Sequence, residues 1–415
     1  MLYNQIKDDK SQYIELYPFI LLRPTTNLIK PYMLNKIFKK LRFLELRRIE
    51  AGIFLLIFFG FFGLLGSRMG TANLLNTIMN TAWDLLMNTV FFIMGITVLS
   101  GAFGRLLIEF GVVRLLEVLL APLMRPLFNL PGVASLAALM TFFSDNPAVI
   151  GLANDRNFSR YFKKYELISL TNFGTAFGMG LIVLTFMSGL GHFGPAMIGL
   201  AGAVIGAIVS TRLMQKFIKP LLPEETEDEH EGDAEKISFK SKGGVFMRFL
   251  NSILDGGKSG VELGLAIIPG VLVISTMVMI LTFGPKDAAV GYQGLAYEGV
   301  PVLPTIAGWF DWLFSFLFGF QSPELIAFPI TSLGAVGAAL SLVKVFTTEG
   351  LITGNEIAVF TAMGMCWSGF LSTHTAMLDS LKFRNLISKA LLSHTIGGLA
   401  AGVAAHYIFV LFNMF

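Results

Sequence analysis

Two acidic breaks interrupt hydrophobic stretches of this chain, Ser144-Asp145-Asn146-Pro147 and Gln321-Ser322-Pro323-Glu324. A carboxylate at membrane depth costs about 3 kcal/mol or more unless it is paired, hydrated or protonated, so Asp145 and Glu324 are candidates for holding a cation, a proton or the donor groups of a solute. Proline removes a backbone donor and breaks the helical ladder. The carbonyls of one half-helix and the amides of the next then converge with their partial dipole charges on a small volume. The alternative is that the two carboxylates cap their half-helices, which does not exclude ligand contact.

Further polar groups follow each break. Thr171, Asn172 and Thr175 come after the first, and Ser368, Ser372, Thr373, His374 and Thr375 after the second. Asn172 and Thr175 are spaced i, i+3 and share a helix face, and Gly174, Gly178 and Gly180 allow close approach of other backbone. Each hydroxyl alone has a simpler use in bonding to its own helix. His374 has the chemistry of a proton relay, with a hydrogen-bonded structural histidine as the competing reading.

The elements that must position these residues follow from composition. Of 415 residues, 54% are hydrophobic and 14% charged, which describes a polytopic membrane protein. The net charge of +3 is spread in clusters at segment ends, so nucleic-acid binding is not expected. The single cysteine, Cys366, excludes an internal disulfide and reads as a packing residue. Gly256-Gly257-Lys258-Ser259 lacks the upstream glycine of a phosphate loop, Asn157-Phe158-Ser159 is a formal sequon on the expected cytoplasmic side, and His374 and Asp379 make no hydrolytic dyad. The chain is read as a non-enzyme.

The length rule for a crossing helix gives about seven spans, near 50–67, 79–100, 165–188, 193–215, 260–283, 355–380 and 390–413. Residues 131–153 and 305–346 read as re-entrant hairpins with the acidic breaks at their tips, and 102–130 as an interfacial helix. The expected class is therefore an all-α polytopic membrane protein with two oppositely oriented hairpins in an inverted repeat. Residues 1–49 form an N-terminal cytoplasmic or interfacial segment, 50–219 a first half, 220–247 an acidic cytoplasmic linker and 248–415 a second half. Charge bias places the N-terminus inside, the C-terminus outside, the first hairpin opening inward and the second outward. Asn80-Thr81-Ala82-Trp83-Asp84 parallels Asn251-Ser252-Ile253-Leu254-Asp255, and Tyr165 to Thr171 parallels Asn355 to Thr361.

Phe142 to Ala148, Thr171 to Thr175 and Gly319 to Leu325 resemble bacterial inner-membrane proteins with nucleoside-recognition Gate domains, in particular the YjiH-like group, over roughly residues 75–215 and 250–405. Concentrative nucleoside transporters are similar in having two opposed hairpins whose tips and following helices hold nucleoside and a coupling sodium ion. By that likeness Gln321, Ser322 and Glu324 match a hairpin-tip motif and Asn172 a polar span contact. The first tip lacks the glutamine-threonine pair of those transporters, and fused spore-maturation A and B proteins share the architecture without an established transport role. The expectation is secondary transport, by alternating access, of a small polar metabolite such as a nucleoside. Asp145, Asn146, Asn172, Thr175, Gln321, Ser322, Glu324, Ser372 and His374 are the expected solute contacts, and Asp145, Glu324 and Thr171 the ion contacts. The coupling ion is sodium or a proton, with no other cofactor. Expected partners are the solute and membrane lipid, with a homo-oligomer left open, in the plasma membrane. The alternative is a structural or signalling protein of envelope or spore maturation.

Overall fold

The computed structural model describes residues 31–222 and 243–414. The expectations for residues 1–30 and for the acidic run of the linker lie outside those residues. The chain divides into two compact units, residues 1–64 and 65–415. In the first, the described residues belong to a single helix, α1 (Pro31–Met69), so the basic segment before residue 50 and the first span are continuous backbone.

The second unit continues with α2 (Thr71–Asp84), a π-helical turn and α3 (Phe91–Glu109), then α4 (Val112–Leu123), which ends in a second π turn. The first hairpin is α5 (Ala134–Phe143) and α6 (Pro147–Asn154), with Ser144 to Asn146 at its tip. A short turn of helix, α7 (Arg156–Ser159), leads to a broken helix, α8 (Lys164–Thr175) and α9 (Gly180–Gly189), and to α10 (Phe193–Ile218). The second half begins with α11 (Val245–Ala266), a π turn and α12 (Thr276–Ile280), then α13 (Val302–Gly308) and α14 (Asp311–Phe318). A 3-10 turn at Pro323–Ile326 opens α15 (Ala327–Gly334), and α16 (Val336–Thr348) returns from it. A second broken helix, α17 (Gly354–Cys366) and α18 (Phe370–Ser380), precedes α19 (Ile387–Phe412). Regular structure among the described residues is entirely helical, with six helical stretches long and apolar enough to cross a membrane.

This order contains an internal repeat. Each half runs leading helix, short helix, hairpin, broken helix and long helix, and α10 and α19 are both 26 residues long. Glu166 near the start of α8 accepts from the Lys163 amide at 2.9 Å, and Glu356 at the same place in α17 accepts from the Thr353 amide at 2.7 Å. The breaks also correspond: Met179 (φ 54) and Gly369 (φ 65) adopt the left-handed region one residue before α9 and α18. Counterparts pack on each other through small residues. On α11, Gly256, Gly260 and Gly264 lie against Gly101, Thr97 and Met94 of α3, and the Thr97 hydroxyl donates to the Gly260 carbonyl at 2.7 Å. The segment that mimicked a phosphate loop is thus part of a helix-packing stripe of the small-xxx-small kind. On α10 and α19, Gly202, Gly206 and Gly397 do the same work.

Several boundaries differ from expectation, for identifiable reasons. The second span is longer than 79–100 and absorbs residues 102–109 of the expected interfacial helix, because the buried Glu109 is paired with Arg248 of α11 at 2.7 Å. The segment 355–380 is two helices rather than one span. The largest correction concerns the hairpin placed at 305–346. The acidic break Gln321 to Glu324 falls before its first limb, where the helices on either side bend by 71°, and its tip is at Gly334-Ala335-Val336. The structural counterpart of Asp145 is therefore an apolar turn, not Glu324. Proline misled the sequence reading because Pro323 stands at the start of a limb, where its missing N–H is unneeded.

Asn80 to Asp84 also has a different role from repeat marker: it clamps the loop 284–301. Asn80 donates to Gly294 O at 2.8 Å, Thr81 accepts from the Tyr297 amide at 2.8 Å, and the Tyr297 hydroxyl donates to Asp84. Burial first, and then the Asp84 carboxylate beside it, push the Tyr297 phenol above its ordinary range, which keeps that donor protonated. Inside the loop, the fully buried Glu298 accepts from the amides of Gln293, Gly294 and Leu295 at 3.0, 2.8 and 3.1 Å. Hydrogen bonds to a charged group contribute about 1.5–3 kcal/mol. Glu298→Ala is expected to cost about 3 kcal/mol and to make residues 284–301 protease-sensitive, which limited proteolysis of the purified protein checks.

Candidate functional site

Three interruptions of helix meet at one place: the first hairpin tip, the break Ala176 to Met179 and the break Trp367 to Gly369. Asn146 is their hub. Its amide donates to the carbonyl of Ser368 at 3.2 Å and to the Ser368 hydroxyl at 3.3 Å. A Cβ added at Gly178 would lie 2.2 Å from Asn146 Oδ1, and one at Gly369 would lie 2.5 Å from Nδ2. Only residues without side chains let the tip sit between the two breaks. Below the tip, α6 packs Val149 onto Gly174 of α8. In the second half, Phe328 and Val336 of the other hairpin pack on Gly364, the matching position of α17.

Around this junction, buried polar atoms lack partners: Asp145 Oδ1, Asn146 Oδ1, Thr171 Oγ1, Asn172 Oδ1 and His374 Nε2. Buried polar groups are nearly always bonded, so each unpartnered one calls for an explanation such as a ligand, ion or water. With Asp145 ionised and His374 neutral, all but the Thr171 hydroxyl are acceptors only, and neither tip nor break contains a lysine or arginine. The arrangement is suited to a cation or to N–H and O–H donors. Next to it is a cavity of about 270 Å³ walled by apolar side chains, among them Phe128, Phe142, Phe143, Phe173 and Phe177. Its single polar wall residue, Ser135, already donates to Gly132 O at 2.8 Å.

The remaining expected contacts divide into distinct environments. The two hydrogens of the Asn172 amide are shared among Ser210 Oγ, Ala390 O and Ser393 Oγ, at 3.0, 3.1 and 2.8 Å, tying α8 to α10 and α19. Thr175 bonds back to Thr171 O at 2.6 Å, the simple use of a helix hydroxyl. His374 is fully buried, with Nδ1 on Phe370 O at 2.6 Å. Ser372 is exposed and turned toward Gly369 O.

Gln321, Ser322 and Glu324 lie elsewhere. The Ser322 hydroxyl donates to Glu324 in the first turn of its helix, which engages that carboxylate locally, and Gln321 is exposed, donating to Gly319 O at 3.1 Å. They follow α14, whose last carbonyl, Phe318 O, accepts from Asn355 at the start of α17. Asn146 bonds Ser368 beyond the other end of that helix, which at 13 residues is about 20 Å long. The structure therefore brings Asp145, Asn146, Asn172 and His374 into one connected region and leaves the second acidic break outside it.

Sequence reasoning passed over His394 and Ser210. His394 Nδ1 meets Ser210 Oγ at 2.7 Å, its Nε2 meets the Cys366 carbonyl, and its ring is 4.6 Å from that of His374. A histidine inside a glycine-rich apolar span was the available signal.

The fold and site define a multi-pass helical membrane protein with re-entrant hairpins. Comparison with known proteins agrees on the architecture. CNTnw, a concentrative nucleoside transporter, solved in an inward-facing substrate-bound state, matches over 92% of this chain and 87% of its own with a TM-score of 0.53 and 14% identity. A CNTnw variant in an outward-facing state matches over 92% and 88% with a TM-score of 0.52 and 13% identity. At these identities the likeness is one of fold. A segment of 45 residues is 54% identical to the sporulation integral membrane protein YlbJ of Bacillus subtilis, covering 11% of this chain and 11% of YlbJ. No family model matches the chain.

Proposed function

We propose that this protein is a secondary transporter of the inner membrane, of the Gate-domain type, which binds a small donor-rich solute at the junction of the first hairpin tip and the two helix breaks. The set of unpartnered buried acceptors at Asp145, Asn146, Asn172 and His374 carries the proposal. A tip held against two unwound helices is an element that can move as a unit while its supporting helices stay, which is what alternating access requires. The CNTnw fold, solved in both inward-facing and outward-facing states, supports that reading.

The solute class follows from the chemistry of the walls. Acceptors at the junction take amide, hydroxyl or ammonium donors, and the neighbouring phenylalanine-lined cavity takes a flat or aliphatic body; a nucleoside has both parts. An anion meets Asp145 with no basic side chain to offset it. Sodium or a proton is the proposed driving ion, with Asp145 at the tip and the buried, unpartnered hydroxyl of Thr171 on α8 as its proposed contacts. A solute held at one hundred times its Kd stabilises the folded protein by about 2.7 kcal/mol. Nucleosides or amines are expected to raise the melting temperature of the detergent-purified protein and organic acids to leave it unchanged. Asp145→Asn removes the shift while melting normally in the absence of solute. Stabilisation by anions alone contradicts the assignment.

The YlbJ match favours a second reading, a membrane protein of spore or envelope maturation without transport. In that case Asp145→Asn leaves function intact while loss of the whole protein blocks maturation, a comparison made by complementing a deletion strain.

A further inference from the structure

We propose that His374 is a proton-binding site and that His394 is its neutral neighbour, so that the pair carries one proton through the cycle of the proposed transporter. The hydrogen-bond roles around His394 are determined one at a time. Its Nε2 faces the Cys366 carbonyl, which only accepts, so Nε2 carries a hydrogen. In the neutral ring Nδ1 is then an acceptor and Ser210 is its donor, at 2.7 Å. The Ser210 oxygen in turn accepts from Asn172 at 3.0 Å, and the Asn172 amide is fixed in orientation because it also donates to the Ala390 carbonyl at 3.1 Å. Every polar atom of His394 is satisfied in the neutral state, and a proton on Nδ1 would force the Ser210 hydrogen to turn away and find another acceptor.

His374 is in the opposite condition. Its Nδ1 hydrogen goes to Phe370 O at 2.6 Å, which leaves a lone pair on Nε2, fully buried and without a partner. The same region contains surplus acceptor oxygens on Asp145, Asn146 and Asn172. A proton on Nε2 converts this unpartnered acceptor into a donor in a region short of donors. With the rings 4.6 Å apart, repulsion allows only one charge on the pair.

Few charged groups bear on it. α8 offers no titratable side chain after Glu166. On α10, Arg212 donates to Leu127 O at 2.6 Å and to Pro126 O. α17 presents the Cys366 thiol, which donates to Ala203 O at 3.6 Å. Asp379 on α18 and Lys389 on α19 are more than a helical turn away, the turn Arg384–Leu386 that packs on α18 brings Arg384, which faces Asp379 at 3.8 Å, and α6 and α15, which also pack on α18, carry no titratable group. Asp145 at the tip is the remaining charge. The pair is also tied to the moving region, because the Trp367 indole in the break donates to His394 O at 3.2 Å and Asn146 bonds the next residue, Ser368.

The importance of this site for coupling rests on the transport reading; its protonation does not, and is measured without solute. Purified protein in liposomes on a solid-supported membrane is given a jump in pH, and the charge displaced is recorded. Wild type is expected to give a transient charge movement that His374→Asn lowers at least tenfold. Asparagine keeps a donor for Phe370 O and removes Nε2, and its melting curve shows whether the fold is kept. Asp379→Asn, an exposed carboxylate of α18 outside the pair, retains the movement. No charge movement in wild type, an unchanged signal in His374→Asn, or an equal loss in Asp379→Asn overturns the proposal. Should His374→Asn fail to fold, exchange of the imidazole C2 hydrogens in wild type, followed by mass spectrometry against pH, decides it: the His374 rate titrates and the His394 rate stays flat, and two flat profiles refute it. Uptake failing while the charge movement persists would count against transport and not against this site.

Discussion

Gly260→Val is expected to be the most damaging single substitution in the hydrophobic framework. A Cβ at this position would lie 2.3 Å from the Thr97 carbonyl oxygen and 2.5 Å from Val98 Cα, both backbone atoms that no rotamer change can move. The Thr97 hydroxyl donating to Gly260 O at 2.7 Å resists separation of the helices. Overpacking costs about 1–3 kcal/mol where side chains can give way. Here the obstacle is main chain, so about 3 kcal/mol or more is expected, lowering the melting midpoint by about 5 °C or more. Gly257 on the same helix is the control, because the nearest atom to its added Cβ is Val98 Cγ1 at 3.7 Å. Gly257→Ala should be neutral or gain up to about 1 kcal/mol from helix propensity. Equal effects at both positions would show that α3 and α11 do not approach in this way.

Asn146→Ala is expected to have the largest functional effect. The substitution removes both bonds to Ser368 and the acceptor Oδ1, so the tip loses its attachment to the break in the second half. Solute-dependent stabilisation should fall at least about tenfold in affinity, corresponding to about 1.4 kcal/mol. Stability without solute should change less, since the side chain already leaves one buried acceptor unpaired. Gly178→Ala gives an independent handle. In wild type its new methyl collides with Asn146 Oδ1 at 2.2 Å, whereas with alanine at 146 the colliding atoms are gone. The double variant Asn146→Ala, Gly178→Ala is therefore expected to be more stable than the sum of the single effects, a coupling that a double-mutant cycle measures. Strict additivity would mean that the tip does not rest on the break.

The first hairpin tip was legible in the sequence because a carboxylate, an amide and a proline interrupting an apolar run leave few alternatives at membrane depth. Asp145 and Asn146 stand at a hairpin tip as read, and the shared Glu166 and Glu356 marked the starts of equivalent helices. The second half was misread for a physical reason. Pro323 and Glu324 have the composition of a break and the position of a helix start, and sequence alone does not separate a proline and carboxylate in a first turn from a hairpin tip. The true tip, Gly334-Ala335-Val336, is apolar and gave no signal. Glycines at 178 and 369 were visible, but their purpose depends on Asn146, which is distant from Gly369 in sequence. The Arg248 and Glu109 pair was likewise invisible, and so a charged stretch read as interfacial became part of a long helix.

Solute uptake into proteoliposomes tests the central claim most directly. Purified wild type and Asp145→Asn are reconstituted side by side, and uptake of labelled nucleosides and amines is followed under an inward sodium or proton gradient. Saturable uptake by wild type that collapses with the gradient, and is absent in a folded Asp145→Asn protein, is the expected result. Folded wild-type protein that takes up no solute under either gradient, or uptake equal in the two proteins, would contradict transport at the hairpin junction.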